Sequence, residues 1–560
     1  MENIQNIKKN IMYCIFTFAC LTGGCFENRL LYMFGMMTGI LLVIYAWKER
    51  NSEPDWSAYF IFIVGLPLCA LLSLITAVDR GMDILGILRI FAICCAGMVL
   101  LKLTGEEREH LLMILPEAAG ITLAVSYILW FIPAFRNMVF SSHRLAGCFG
   151  YANTYALFLL LGCIVLFRQK DKKLLVRLLL GLWLVSGILL TGSKTIMCLA
   201  VAWAAVHAAG LFFGKKRKST VMIATVITFI GVLVGAGWLA LSFGSSTFWG
   251  RLLYWKDMLP VIVTHPFGTG YLGFYYMQSA IQTGVYDTSF LHNSILQLAS
   301  DYGWGAIFLF LFLAGSSILY KKTTTLQKEL LAIMLLHFMF DFDLEYLPIW
   351  IVFFLSTLPL DDGKVVSVQK KSGKRTGKVV WKPVTISFYS VLSVLFLYFC
   401  VVEWIHAGGN TELARRLYSW NTEWNLEQMA NMESVETAVP LVEKIAKQNA
   451  YSFLTCEVKA LAYAGDGEWE QAVDWQTEAV YNSKYRLEGY ETLLTYLQQA
   501  ALTAVQENDE EQAGIYIRQM KMIPEQLKDV KNHTSWLGWK ITEQPELSLE
   551  PEVIDYLNRL

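Results

Sequence analysis

The chain has 560 residues, 55% of them hydrophobic and only 17% charged, with a mean hydropathy of +0.43. That is too apolar for a soluble globular protein and places the chain in the membrane class. The net charge of −1 hides an asymmetry: from Ala407 onward there are 13 Lys+Arg against 25 Asp+Glu, so the preceding 406 residues carry a net +11. A basic membrane part (1–406) and an acidic tail (407–560) predict two domains in two environments.

In chain order, apolar runs near the roughly 17–25 residues needed to cross a bilayer fall at 11–26, 30–47, 56–77, 83–102, 110–133, 151–167, 174–191, 195–213, 219–243, 294–320, 328–342, 346–360 and 384–405. The pattern predicts an all-α, polytopic helical bundle of about 13 spans. The first run follows Lys8-Lys9, but a second run comes almost at once, so it reads as a retained helix rather than a cleaved signal. The runs at 328–342 and 346–360 are short and read either as two brief helices or as a broken, re-entrant pair. Most of the cysteines (Cys14, Cys69, Cys94, Cys95, Cys163, Cys198, Cys400) lie inside these runs and behave as small hydrophobes. Only Cys456 lies in the tail, and no metal-binding spacing is present.

Basic clusters at Lys48–Arg50, Arg168–Lys173, Lys215–Lys218, Lys321-Lys322 and 364–382 fall on one side if the N-terminus is cytoplasmic, which is the positive-inside pattern. The 364–382 stretch then reads as a cytoplasmic linker rather than a nucleic-acid segment. The same alternation puts 134–150, a large polar loop at 244–293, and the tail outside. The expected working face of the membrane part is extracytoplasmic.

Loop 244–293 gathers Arg251, Lys256, His265 and His292 with Trp255 and several glycines. Loops over a rigid scaffold often carry chemistry. Asn293 or Ser294 can cap the following helix, whose N-terminus suits an anion; the bland reading of His292 is an interfacial hydrogen bond to a loop carbonyl. Lys194 ends a tight Thr191-Gly192-Ser193-Lys194 turn, where it is either a snorkelling anchor or a cation over the site. Arg144 follows His143 in the preceding outer loop. Arg89 lies within a span, where an ionisable residue is functional or paired internally with a carboxylate such as Asp83. His337 and Asp341 share a helix face at four-residue spacing and form a possible structural or functional pair. Asp341-Phe342-Asp343 also spells the DxD of nucleotide-sugar transferases, but on a helix its carboxylates diverge, and this segment falls on the outer side.

The tail has helical periodicity. Its clearest unit runs Phe453–Tyr463, turns at Gly465-Asp466-Gly467 and continues Trp469–Val480, with Ala472 and Ala479 at close-packing positions. It resembles a tetratricopeptide helix pair, with a weaker echo from Tyr490. Fewer than three good repeats are visible, so the alternative is a plain helical bundle.

Taken in order, Arg144-Leu145-Ala146-Gly147 with Gly150 and Asn153, Thr191–Lys194, Arg251-x3-Trp255, His265-Pro266-Phe267-Gly268-Thr269-Gly270, and His292-Asn293-x2-Leu296-Gln297 with Gly303 and Gly305 resemble the O-antigen ligase/O-antigen polymerase family over roughly 140–345. The ligases of that family carry a His-Asn/Ser/Gln motif followed by nine residues and then Gly-x-x-Gly/Thr/Tyr. His292, Asn293 and Gly303 fit, while Ala306 departs from it. Lys194 stands where the family usually has Arg, keeping the charge but not the bidentate fork.

The resemblance implies a GT-C-like membrane glycosyltransferase acting on a glycan carried by polyprenyl diphosphate, in cell-surface polysaccharide biosynthesis. It implies Arg251 and His292 as catalytic residues, with Arg144 and Lys194 as cations for the leaving diphosphate; Lys256, His265, Asn293 and, outside the region of resemblance, Arg89 are further substrate-binding candidates read from the residues themselves. It implies no metal or other cofactor, and a glycan, lipid or protein acceptor. The helical tail is a further possible partner surface. Two readings compete. A lipid-linked glycan flippase would string charges through its spans, where few are seen, chiefly Arg89, with Glu117 near one end. A scaffold anchored by its spans would not need thirteen of them.

Overall fold

The structure is a computed structural model that describes residues 13–48, 57–213, 246–360, 381–432, 435–449 and 451–560. The chain is 79% helical, with 23 helices and one two-residue-per-strand hairpin among the described residues. The expected all-α polytopic bundle is therefore the fold. Its helices are α1 (Asn28–Lys48), α2 (Ala58–Ser73), α3 (Arg80–Leu101), α4 (Gly105–Met113), α5 (Leu115–Phe131), α6 (Pro133–Val139), α7 (Ala152–Arg168), α8 (Leu174–Thr191), α9 (Lys194–Phe213), α10 (Ser246–Thr264), α11 (Gly273–Ile281), α12 (Ser294–Leu319), α13 (Thr325–Phe338), α14 (Leu347–Thr357) and α15 (Trp381–Ala407). The tail adds α16 (Thr411–Leu417), α17 (Thr422–Ala430), α18 (Val435–Gln448), α19 (Phe453–Gly465), α20 (Trp469–Asn482), α21 (Leu487–Gln506), α22 (Glu510–Asn532) and α23 (Pro551–Arg559).

Among the described residues, six segments are long and apolar enough to cross a membrane: α1, α3, α4 with α5, α8, α12 and α15. Four more apolar helices (α2, α7, α14 and the described part of α9) are shorter. The expected span at 219–243 and the 364–380 part of the basic linker lie outside the described residues.

Local sequence sets the helix ends. Ser57 caps α2, Asp79 caps α3, and Thr104 with Glu107 and Thr324 with Gln327 form capping boxes for α4 and α13. The runs around 341–345 resolve into the two-brief-helices alternative, α13 and α14, joined by a 3-10 turn at Asp343–Glu345. Every residue of α14 is buried. A helix apolar on all sides belongs inside a bundle, and Trp350, Phe353 and Phe354 fill its surroundings.

α12 is kinked at Gly303 (φ 77°, ψ −171°), a conformation open essentially to glycine alone. The His265–Gly270 motif docks at this kink. Thr269 N donates to Ser300 O, Gly270 N to Asp301 O, and Trp304 N to Pro266 O. From the other side, Val78 N donates to Thr269 O and the Thr76 hydroxyl to Gly268 O. The glycines of this motif thus serve backbone packing. Ahead of α7, Phe140–Ser141 pairs with Arg144–Leu145 across Ser142 and His143, both with positive φ, as a two-residue type I′-like hairpin requires. That turn presents Arg144.

In the tail, α18 through α22 each pack on the next, and Ala460, Ala472 and Ala479 are fully buried at the crossings. The tail also packs on the segment 246–293. Ser535 N donates to Thr283 O, the rings of Trp249 and Trp536 lie 5.5 Å apart, and Leu537 and Ile541 join Trp249, Leu253 and Met258 in one apolar cluster. Backbones touch here: a Cβ on Gly284 would sit 2.6 Å from Gly538 Cα. At the head of α3, Asp79 accepts from Asn449 (3.3 Å) and from the Thr422 hydroxyl.

Candidate functional site

Above α12, the turn between α13 and α14 places the carboxylate of Asp341 where three other elements converge. Oδ1 accepts from the Tyr151 hydroxyl (2.8 Å) and lies 3.1 Å from His292 Nδ1. Oδ2 accepts from Asn153 Nδ2 (2.7 Å) and from an Arg251 terminal nitrogen (3.3 Å). Asn153 Oδ1 in turn takes a hydrogen bond from Arg144, whose Nε donates to Thr191 O at 2.7 Å. Four segments distant in sequence therefore meet on one buried carboxylate: the α7 start, α10, the α12 start and the α13–α14 turn.

The electrostatics follow from this geometry. Burial alone would raise the Asp341 carboxyl, but the Arg251 guanidinium and the His292 hydrogen bond hold it below the usual carboxylate range. An ionised Asp341 accepts from Nδ1–H and so leaves His292 Nε2 as the proton-accepting nitrogen. No partner occupies Nε2 among the described residues.

The backbone of His292 is held in a left-handed conformation (φ 50°), a costly state for a residue other than glycine. Trp255 Nε1 donates to Leu291 O at 2.8 Å and Gln297 Oε1 accepts from Leu291 N at 2.9 Å, which fixes the chain on the near side. Asn293 caps α12 by accepting from Ile295 N and Leu296 N, and Ser294 ties back to Asp341 O through both its N–H and its hydroxyl.

Arg251 is the under-satisfied member. Its side chain is only 12% exposed. Among the described residues it makes one hydrogen bond, to Asp341, and its Nε is buried with no partner. A half-buried guanidinium whose Nε is buried and unpartnered departs from the rule that buried polar groups are paired, and its planar fork fits a phosphate.

The other sequence candidates fall in three places. Lys194 is exposed, two residues beyond Gly192, which lies against Arg144. Asn293 is adjacent as the cap. The first-turn N–H groups of α12 bond to Asn293 and Asp341, so the expected anion site at that helix end is already filled. Lys256, His265 and Arg89 make no contact with the cluster. Lys256 bonds to Thr283 (2.9 Å) and Asp257, and His265 to Val261 O (2.9 Å) at the end of α10. Arg89 pairs with Glu345 (2.9 Å), Asn28 and Phe26 O rather than with Asp83; Asp83 instead accepts from Ser73 and Tyr271 N.

His337 also has a different partner from the one its spacing suggested. It bonds to Asp343 (2.6 Å), which accepts from Thr154 as well. The helix ends at Phe338, so Asp341 has left the face that holds His337. The two carboxylates of the DxD diverge, one to each histidine.

Tyr151 was not singled out in the sequence. An aromatic residue at the start of an apolar helix carries no local signal of function, and its role appears only once the 341–345 turn folds over it. Glu345, which ties that turn to Arg89, was hidden for the same reason.

Residues 154–311 match the family model described as O-antigen ligase. The match runs from α7 into α12 and includes Arg251 and His292, while Arg144, Tyr151, Asn153 and Asp341 flank it. No curated protein and no solved structure matches the chain.

Proposed function

From a multi-pass membrane chain that carries an O-antigen ligase domain over residues 154–311, and hence a membrane glycan ligase or polymerase role, we propose a specific chemistry. The donor is a glycan on polyprenyl diphosphate, and the site around Asp341 transfers that glycan to an acceptor hydroxyl on the extracytoplasmic face. The observation that carries this is Arg251: a half-buried cation with a buried, unpartnered Nε, set beside a histidine whose Nε2 has no partner among the described residues.

The acceptor oxygen attacks the anomeric carbon, the C–O bond to the diphosphate breaks, and the polyprenyl diphosphate departs. His292 Nε2 takes the acceptor proton and releases it to solvent. Charge grows on the leaving diphosphate during this step, so a guanidinium aimed at it stabilises the transition state more than the ground state. Arg251 supplies that contact, with Arg144 and Lys194 as further cations. Asp341 orients His292 and balances the imidazolium that forms. Tyr151 and Asn153 fix the carboxylate and are positioning residues.

Purified protein given polyprenyl-diphosphate-linked repeat units tests this reading. Lengthening of lipid-linked chains identifies a polymerase, and transfer only after a second acceptor is added identifies a ligase. A protein that moves lipid-linked glycan across vesicles without consuming it would instead be the flippase.

A further inference from the structure

The tail contains a cavity of about 430 Å³ between α18, α19 and α20, lined by Ala446, Asn449, Thr455, Cys456, Asp474, Trp475 and Glu478. Its size lies within the range of small-molecule sites, roughly 300–1,000 Å³. We propose that it is a subsite for an uncharged, hydroxyl-rich stretch of the glycan that the membrane domain handles; this rests on the transferase reading above.

The lining selects among ligand classes. Asp474 and Glu478 lie one helical turn apart on α20 and put two carboxylates on the same wall, which disfavours a phosphate or an acidic sugar. The polar lining disfavours a purely apolar tail. A cationic ligand meets competition, because the Lys459 ammonium already sits 3.8 Å from the centroid of the Trp475 ring. Among the described residues, neither the Asp474 carboxylate nor the Trp475 indole N–H makes a hydrogen bond. An indole with an apolar body and a spare donor, beside carboxylate acceptors, matches a sugar ring with apolar C–H faces and hydroxyl donors.

Its position fits the same use. α20 packs on α11. Asn449, in the cavity wall, bonds to Asp79 at the head of α3. The cavity thus lies at the junction of tail and membrane domain, within the tail's own walls.

The test uses the purified full-length protein in detergent. The probe is oligosaccharide released by mild acid from the polyprenyl-linked pool of the producing cells, with binding read by saturation-transfer NMR and titration. The expected result is saturable binding that Trp475→Ala weakens about tenfold or more, a loss typical of truncating an aromatic anchor. The double variant Asp474→Asn/Glu478→Gln, which changes only exposed side chains, weakens it as well, and Arg251→Ala leaves it in place. Absence of binding, or equal binding by wild type and the double variant, overturns the subsite. So does displacement of the glycan by trilysine, which would make the cavity a cation site. Transfer assayed on the same Arg251→Ala protein reports separately on the transferase reading, so the two proposals fail by different measurements.

Discussion

Arg251 and His292 reach the same carboxylate from opposite sides: Arg251 lies 3.3 Å from Asp341 Oδ2, and His292 Nδ1 lies 3.1 Å from Oδ1. The pairing leaves Arg251 Nε and His292 Nε2 without a hydrogen-bond partner among the described residues. Substituting either residue therefore tests half of one arrangement.

Arg251→Ala should lower glycan transfer per inserted molecule by about 10²–10³, the usual cost of removing a donor aimed at developing charge. Arg251→Lys should recover only part, since a point charge lacks the fork. His292→Ala should lower turnover while donor binding and insertion persist. Near-normal transfer by both alanine variants would end the assignment.

Asp341→Asn removes the charge that selects the Nδ1–H form of His292. Turnover should fall by about 10²–10⁴, by analogy with the loss of an orienting carboxylate in a triad. Tyr151→Phe removes one of several donors to the same carboxylate and should cost only about 1–2 kcal/mol, read as a melting shift with a modest fall in turnover.

The pH dependence of stability follows from the depressed Asp341 carboxyl. A group whose folded pKa is lowered contributes stability that is fully present above its unfolded value, about 3.9, and is lost as pH falls through the folded value. The melting-temperature gap between wild type and Asp341→Asn should therefore stay constant from pH 8 to about pH 5 and close only in stronger acid. A gap that closes between pH 7 and pH 5 would show that Asp341 is not held ionised.

Gly303→Ala should cost about 1–3 kcal/mol or more. Its Cβ would lie 2.2 Å from Pro266 O and 2.6 Å from Phe267 C, at a φ of 77°. The expected readout is a lower melting temperature and a lower yield of inserted protein, with residual molecules losing transfer because α12 carries His292 at its head.

Orientation is open to cysteine labelling in a Cys-depleted background. With the N-terminus inside, a cysteine replacing Asp509 should react from outside intact cells and one replacing Ser372 should not. The reverse pattern would place the Asp341 cluster on the cytoplasmic side.

The helical class was legible because apolar runs of bilayer length announce themselves, and the cap at Asn293 marks where α12 starts. Arg251, His292, Arg144 and Asn153 were legible as motif members. Their common partner was not. Asp341 lies in a turn whose path depends on α14 being buried on every side, and i,i+4 spacing alone paired Asp341 with His337. The partner of Arg89 was missed for a related reason: Asp83 is near in sequence, whereas Glu345 is brought in by tertiary packing. His265 reads as a site residue within its motif, yet the backbone bonds of 268–270 show that this motif serves the docking of a loop on a bent helix.

The contact of Gly284 with Gly538 sets a limit on modularity. Two chains that meet at backbone distance leave no room for side-chain drift, so a homologous tail could be grafted onto this membrane part only if both positions stay glycine. An excised tail would uncover Leu537 and Ile541, which here are covered by the helix that holds Arg251. The two compositional halves of the chain, so unlike in charge, are consequently a single unit of inheritance: a recombination breakpoint near residue 407 would separate sequences that have to change together.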